Sequence, residues 1–164
     1  MKGKYNRAET TVKRLIWMGL VAVIATPLWA EGKPEDAAGL FPYWDAQQVQ
    51  IGETLYAENC AACHGAELEG EEDWRSRNPD GGFRAPPHDE TGHTWHHPDA
   101  QLFAITKFGT EVVMGGAVQS DMAGFGEILS DEEILAVLGF IKASWPERII
   151  ARHNELNRRF EASQ

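Results

Sequence analysis

The sequence contains few cysteines, few basic residues and a single long apolar run. Two cysteines among 164 residues are too few for a disulfide framework of several bridges. The 15 Lys and Arg residues against 25 Asp and Glu give a formal charge of −10. This balance argues against nucleic acid as a partner, because phosphate binding requires clustered cations. Hydrophobic residues still make up 43% of the chain, which excludes a mainly disordered protein.

The apolar run occupies residues 15–30 and follows a basic segment. It is shorter than the stretch of about 20 residues that usually spans a membrane. A basic start, a short apolar stretch and a final Ala30 are typical of a secretory signal peptide over residues 1–30. The alternative is an uncleaved N-terminal anchor, with membrane association through residues 15–30. Either interpretation predicts a periplasmic or other extracytoplasmic location for residues 31–164, which carry ten basic and 24 acidic side chains.

The remaining chain divides by composition into a linker, a domain and a tail. Residues 31–45 mix Pro, Gly and charge before several aromatic residues, which predicts a linker that ends against the domain. Apolar periodicity and capping residues predict three helices in the domain at 46–145, over residues 46–59, 98–107 and 130–145. Residues 146–164 are expected to form a helical tail, with His153 on its packed face. Strand signals are weak throughout.

The sequence CAACH at residues 60–64 carries the chemistry. Two cysteines three positions apart on a helical turn can each form a thioether with one haem vinyl group, and the adjacent His64 then becomes the proximal iron ligand. Three other interpretations have weaker support. A thioredoxin-like site would follow a strand, a structural zinc site would need further cysteines, and a disulfide between Cys60 and Cys63 would be strained.

Over residues 46–145 the chain resembles a class I, monohaem c-type cytochrome. The resemblance is carried by an amphipathic helix, the CAACHG sequence, a loop with prolines, a middle helix, a methionine with a phenylalanine three residues later, and LSDEEILAVLGFIKASWP. It implies a mainly α fold, with few or no strands, wrapped around one covalent haem c that transfers single electrons. The contact between first and last helices in the family maps to Gly52 and Tyr56 against Leu138 and Phe140.

The resemblance also implies which residues hold the haem. Cys60 and Cys63 would attach it covalently, and His64 and Met122 would be the axial ligands of its iron. An alanine follows Met122 where the family commonly has proline. Met114 is the other methionine after the motif, and its alternative role is to fill the core.

Other residues are candidates for supporting the haem. In the family a loop proline offers its carbonyl to the proximal histidine, and Pro86 or Pro87 is the matching residue for His64. Arg84 and Trp95 are candidates for binding the haem propionates. Their alternatives are an exposed charge and a core aromatic side chain.

Four of the six histidines lie within ten residues, at His88, His93, His96 and His97. This density suggests a second metal site, with copper as the metal that suits imidazole ligands, or an alternative haem ligand in place of methionine. The other interpretation is a loop whose side chains hydrogen-bond the propionates and neighbouring turns. The acidic residues 67–73 are expected to form a solvated loop.

No nucleophile–base pair, phosphate-binding loop or pair of carboxylates stands out, so no catalytic residue is predicted. The chain is expected to carry electrons rather than act as an enzyme, either alone or as a subunit of a larger oxidoreductase. Two rival functions stay open: a peroxidase-like haem enzyme with an open sixth position, and a copper-handling protein that uses residues 88–97. The acidic surface predicts redox partners with a basic docking surface, bound more weakly as salt rises.

Overall fold

The computed structural model describes residues 32–164, so the predicted signal or anchor at residues 1–30 lies outside the described residues. The described part is mainly helical and contains no strand, which confirms the predicted fold class. None of its helices is long and apolar enough to cross a membrane. Six helices follow one another along this part of the chain: α1 Ala46–Asn59, α2 Ala61–His64, α3 Asp99–Phe108, α4 Thr110–Val113, α5 Asp131–Ala143 and α6 Glu147–Ala162.

Helices α1 and α5 form the main packing contact of the domain. Asp45 caps α1 by accepting hydrogen bonds from two backbone N–H groups of its first turn. Gly52 lies at the closest approach, where an added Cβ would be 2.5 Å from the carbonyl carbon of Ala136 and 3.0 Å from Cβ of Phe140. The ring of Tyr56 packs 5.4 Å from that of Phe140. The contact includes Phe140, as predicted, and Ala136 lies closest to Gly52.

The predicted capping box begins α5. The Ser130 hydroxyl accepts from the N–H of Glu133, and the Glu133 carboxylate accepts from the N–H of Ser130 at 2.8 Å. The helix then buries nearly all of one side in the core, including the fully buried Ile134. A Ser–Trp–Pro sequence separates α5 from α6, and Trp145 within it is buried.

Helix α3 begins after Pro98 and ends at Gly109, as the turn residues predict. Gly109 has a φ of +86°, which redirects the chain into α4. Thr110–Val113 then forms one helical turn that the sequence patterns did not predict.

The predicted linker and tail pack against each other. Phe41 is 1% exposed, and the amide of Asn154 in α6 donates to the carbonyl of Asp36 at 3.1 Å and to the hydroxyl of Tyr43 at 2.9 Å. His153 is fully buried on the inner face of α6, as expected. Residues on both sides of the domain at 46–145 are thus joined through this helix.

Candidate functional site

The two cysteines and His64 lie on one turn between α1 and α2. Cys60 ends α1 and precedes α2, and its carbonyl accepts from the N–H of Cys63 at 3.1 Å and from that of His64 at 2.9 Å. Both thiols are free; Cys60 is half-buried and Cys63 is exposed. Tyr56 fixes the end of the turn, because its hydroxyl donates to the carbonyl of Gly65 at 3.0 Å. The helical turn therefore presents both thiols and the imidazole from five consecutive residues.

Local structure does not favour a thioredoxin-like use of these thiols. A helix precedes Cys60, where a redox motif of that class would follow a strand. Burial, reinforced by the neighbouring Cys63, raises the pKa of the Cys60 thiol to about 11. Reactive thiols of redox enzymes instead have a lowered pKa, which populates the thiolate at neutral pH.

The ring of His64 is held by the loop that contains the two prolines. Its Nδ1 lies 2.9 Å from the carbonyl oxygen of Pro86, so Pro86 rather than Pro87 provides the contact expected from the resemblance. With Nδ1–H donating to this carbonyl, Nε2 is the ring nitrogen that remains for a metal. Burial lowers the pKa of His64, although the bond to Pro86 opposes this change. A neutral imidazole with one nitrogen free is the form that binds iron.

His88 stacks on His64 in a contact that sequence reasoning did not anticipate. The ring centroids are 4.0 Å apart and the planes differ by 22°. Nδ1 of His88 lies 2.9 Å from the hydroxyl of Thr94, and the carbonyl of His88 accepts from the indole of Trp145 at 2.7 Å. Because neighbouring elements hold His88 at both ends, its stack and the bond to Pro86 together restrict rotation of the His64 ring.

Met122 lies in the loop that follows α4. Its carbonyl accepts from the N–H of Thr110 at 3.2 Å, which fastens the loop to the start of that helix. Met122, Phe108 and Val112 contribute to the wall of a cavity of about 290 Å³. Met114 is 46% exposed at the end of α4 and is not among the residues that line this cavity.

Arg84, a candidate for binding a haem propionate, has one buried donor without a partner within residues 32–164. Within residues 32–164, buried Nε of Arg84 and buried Nδ1 of His93 have no hydrogen-bond partner, and carboxylates would supply acceptors for such groups. Arg84 also donates through Nη1 to the carbonyl of Glu72. The indole of Trp95 donates to the carbonyl of Glu90 at 3.3 Å, so this predicted propionate ligand already has a partner.

The four clustered histidines do not form a metal-binding group. Each makes different contacts: His88 stacks on His64, His93 on Trp74, His96 packs edge-on against Trp95, and Nδ1 of His97 lies 3.4 Å from Gln101. Within residues 32–164 no three His, Cys, Asp or Glu side chains are arranged to hold a metal ion. The predicted copper site therefore has no set of three ligands in the described part of the chain, although the rings of His93 and His97 meet edge-on at 5.4 Å.

The acidic loop at residues 67–73 is partly structural. The carboxylate of Glu69 accepts from the N–H of Glu67 at 2.8 Å, and that of Glu71 accepts from the N–H of Ala85. The second bond connects the acidic loop to the segment that leads into Pro86. Some of these acids therefore support the loop that positions His64.

Sequence reasoning missed a buried polar cluster centred on Asp99. This carboxylate accepts from the backbone N–H groups of Leu40 at 2.6 Å and Phe41 at 3.0 Å, and from the amide of Asn157 at 2.7 Å. Nε2 of His153 lies 3.5 Å from it and 2.9 Å from the carbonyl of His97. The available signal was the spacing of His153, Asn154 and Asn157, which places polar groups on one side of α6.

Lys142 belongs to the same interior region. The side chain is fully buried, its Nζ lies 3.4 Å from the carbonyl of Ala38, and it lies over the ring of Tyr43 at 4.5 Å. Burial lowers the pKa of Lys142 to about 8, and the charge of Asp99 opposes this change. These groups fasten the segment before α1 rather than contributing to the haem-attachment turn.

A helical domain with two thiols and a proline-held histidine on one turn is a haem-attachment domain. A family model described as Cytochrome c matches residues 49–145, more than half of the chain, and the chain therefore belongs to the cytochrome c family. Family membership establishes a haem-binding domain with covalent haem c and electron transfer as the general activity of the class. Comparisons with curated proteins and with solved structures give no match. The matched region ends before α6.

Proposed function

We propose that this chain is an extracytoplasmic one-electron carrier with a single haem, whose iron is bound by His64 and Met122. The observation that carries the proposal is His64, with Nδ1 held by Pro86 at 2.9 Å on the turn that also presents Cys60 and Cys63. Bound haem supplies a reversible one-electron iron couple. The chain itself attaches the group through two thiols and fixes the orientation of one axial ligand.

The assignment of Met122 rests on its place in the chain and in the fold. It precedes the capped helix α5 and lines a cavity with Phe108 and Val112, two apolar side chains that are more than half exposed to solvent. A thioether ligand raises the reduction potential of haem iron relative to a second imidazole. With Met122 as the second ligand, the iron would have no open position for peroxide, which would distinguish a carrier from a peroxidase-like enzyme.

The proposed location follows from the basic, apolar N-terminal segment, and the proposed partners follow from the acidic chain after it. A basic, apolar segment at residues 1–30 supports export, with either cleavage or retention as an anchor. The 24 acidic and ten basic residues after it support docking to a basic surface of a redox partner. Transfer between the two proteins is expected to slow as ionic strength rises, because salt screens exposed charges.

Spectroscopy of the purified holoprotein tests the ligand assignment. We expect a low-spin ferric EPR signal and a methionine–iron charge-transfer band, both lost in Met122→Ala and retained in the matched variant Met114→Ala. A high-spin ferric haem in the unaltered protein would contradict the proposal and support the peroxidase-like rival. Loss of the band in Met114→Ala alone would transfer the ligand role to that residue.

The mass of the purified protein tests attachment and processing. The unaltered protein is expected to keep one covalent haem under denaturing conditions. The double variant Cys60→Ala and Cys63→Ala should release its haem under the same conditions. Loss of the haem from the unaltered protein would show that it is not covalently bound. Absence of residues 1–30 from the mass would identify a cleaved signal. Their presence in a membrane fraction would identify an anchor.

A further inference from the structure

The helix that follows the family domain forms one wall of a cavity. The cavity has a volume of about 220 Å³. Its lining combines cationic, aromatic and aliphatic side chains from α6 and from the 3₁₀ turn Thr94–His96: Trp95, His96, Arg152, Leu156 and Arg159. No carboxylate is among these residues, although the whole chain is strongly acidic.

Arg152 is the cation best placed to receive an anion. Its guanidinium lies over the ring of Trp95, 5.0 Å from the ring centroid. Within residues 32–164 it has no acidic partner within 4.0 Å, whereas Arg159 contacts Glu155 at 3.1 Å and Arg148 lies 3.7 Å from Glu90. A guanidinium with free donors binds carboxylates in a two-point geometry.

Hydrogen bonds join α6, one wall of the cavity, to the chain beside the 3₁₀ turn, which forms the other wall. Nε2 of His153 in α6 donates to the carbonyl of His97, next to the 3₁₀ turn, at 2.9 Å. Asn157 and Asp99 exchange two hydrogen bonds at 2.7 and 2.8 Å, which join α6 to the start of α3. The cationic and aromatic groups are therefore carried on elements with a defined separation, which lowers the entropy cost of binding.

We propose that this cavity binds a small carboxylic acid with an apolar body. The carboxylate pairs with Arg152, with Arg159 as a second donor, and the apolar body packs on Trp95 and Leu156. Net negative charge elsewhere on the chain disfavours anions at long range, so binding depends on these local groups. The cavity involves an element outside residues 49–145, and the proposal does not depend on the ligands of the haem iron.

Binding is tested by titrating benzoate into the ¹⁵N-labelled, reduced holoprotein at low ionic strength, with the Trp95 indole N–H signal as the readout. The signal is identified by its absence in Trp95→Phe. Saturable shifts are expected for benzoate and not for benzyl alcohol, which has the same ring and no charge. Arg152→Gln should weaken binding by about tenfold, the loss expected for one charge-assisted hydrogen-bonding partner at a half-open site.

Arg148→Gln is the matched control, because it removes the same charge from the same helix one turn earlier. Its affinity for benzoate should stay within about twofold of the unaltered protein, because Arg148 lies outside the cavity lining and is an exposed charge already paired with Glu90. Equal weakening in both variants, or shifts that never saturate, would show a general charge effect and overturn the site. Inorganic phosphate binding as tightly as benzoate would overturn the assigned ligand class, since phosphate has no apolar body.

Discussion

Replacement of Gly52 by alanine tests the packing that positions the haem-attachment turn. Alanine normally stabilises the interior of a helix by about 1 kcal/mol relative to glycine. At Gly52 the new Cβ would be 2.5 Å from the carbonyl carbon of Ala136, about 1 Å short of an ordinary carbon–carbon contact. Since the obstacle is the backbone of α5, the helices must separate, and overpacking of this kind costs about 1–3 kcal/mol or more.

Gly139→Ala provides a matched comparison within α5. A Cβ there would meet Cδ of Pro42 at 3.1 Å and Cγ at 3.3 Å, contacts that a small shift of the proline ring can relieve. We therefore expect Gly52→Ala to lower the free energy of unfolding by up to about 2 kcal/mol, the upper overpacking cost of about 3 kcal/mol less the propensity gain of about 1 kcal/mol. Gly139→Ala should remain within about 1 kcal/mol of the unaltered protein.

Urea denaturation of the holoproteins, followed by far-UV circular dichroism, measures both changes from the midpoint at constant slope. Stabilisation by Gly52→Ala would refute the reasoning, because it would mean that α1 and α5 are not in backbone contact at this point. An equal loss in the two variants would also contradict it, since the contrast rests on a backbone carbonyl against a movable ring.

Three further predictions concern the buried polar cluster and the α5 cap. Asp99→Ala should lower the free energy of unfolding by at least about 3 kcal/mol in urea denaturation, because it leaves the N–H groups of Leu40 and Phe41 unpaired. Limited proteolysis within residues 32–45 should also become faster in this variant, and unchanged cleavage would contradict the role of Asp99. Lys142 has a folded pKa of about 8 against 10.5 in the unfolded chain, so the unfolded state binds more protons between these values. The contribution of Lys142 to the free energy of unfolding should rise by roughly 1–2 kcal/mol from pH 7.5 to 9.5, and this rise should be absent from Lys142→Met. Parallel plots of unfolding free energy against pH for the two proteins would refute the prediction. Ser130→Ala should cost about 1 kcal/mol, measured by urea denaturation, because the N-cap bond to α5 is lost, and a neutral effect would show that the cap contributes little.

The haem-attachment turn and the principal helices could be predicted because their signals are local. The Cys60–His64 motif holds both thiols and the imidazole within five residues, and Ser130 and Glu133 form a capping box within one turn. Asp45 and Gly109 mark helix ends through side-chain capping and a left-handed φ. In each case the interacting groups are close in sequence, so composition and spacing are sufficient.

The buried cluster could not be predicted because its partners are distant in sequence. Asp99 looked like an ordinary acid in the first turn of a helix, yet Leu40, Phe41 and Asn157 are 58 or 59 residues away. Lys142 follows the apolar stripe of α5, where a lysine usually reaches solvent. Apolar periodicity identifies apolar faces, and the spacing of polar residues on α6 does not reveal that they face inward and pair with distant groups.

The histidine loop shows a second limit of sequence reasoning. Four imidazoles within ten residues suggested a shared metal, but His88 and His93 contact different aromatic neighbours. A loop without regular periodicity gives no rule for side-chain direction. The stack of His88 on His64 depends on Thr94 and Trp145, which hold it from separate elements.

The hydrogen bonds from α6 to Asp36 also limit how far the domain can lie from Ala30. Asn154 and Arg158 both donate to the carbonyl of Asp36, so the chain is fixed to the domain six residues after Ala30. Six residues in full extension reach about 20 Å. If residues 15–30 remain in a membrane, the side of the domain that carries α6 must therefore stay within roughly that distance of the lipid surface. A retained anchor would then hold the haem domain close to the membrane and restrict the redox partners that can reach it from the membrane side.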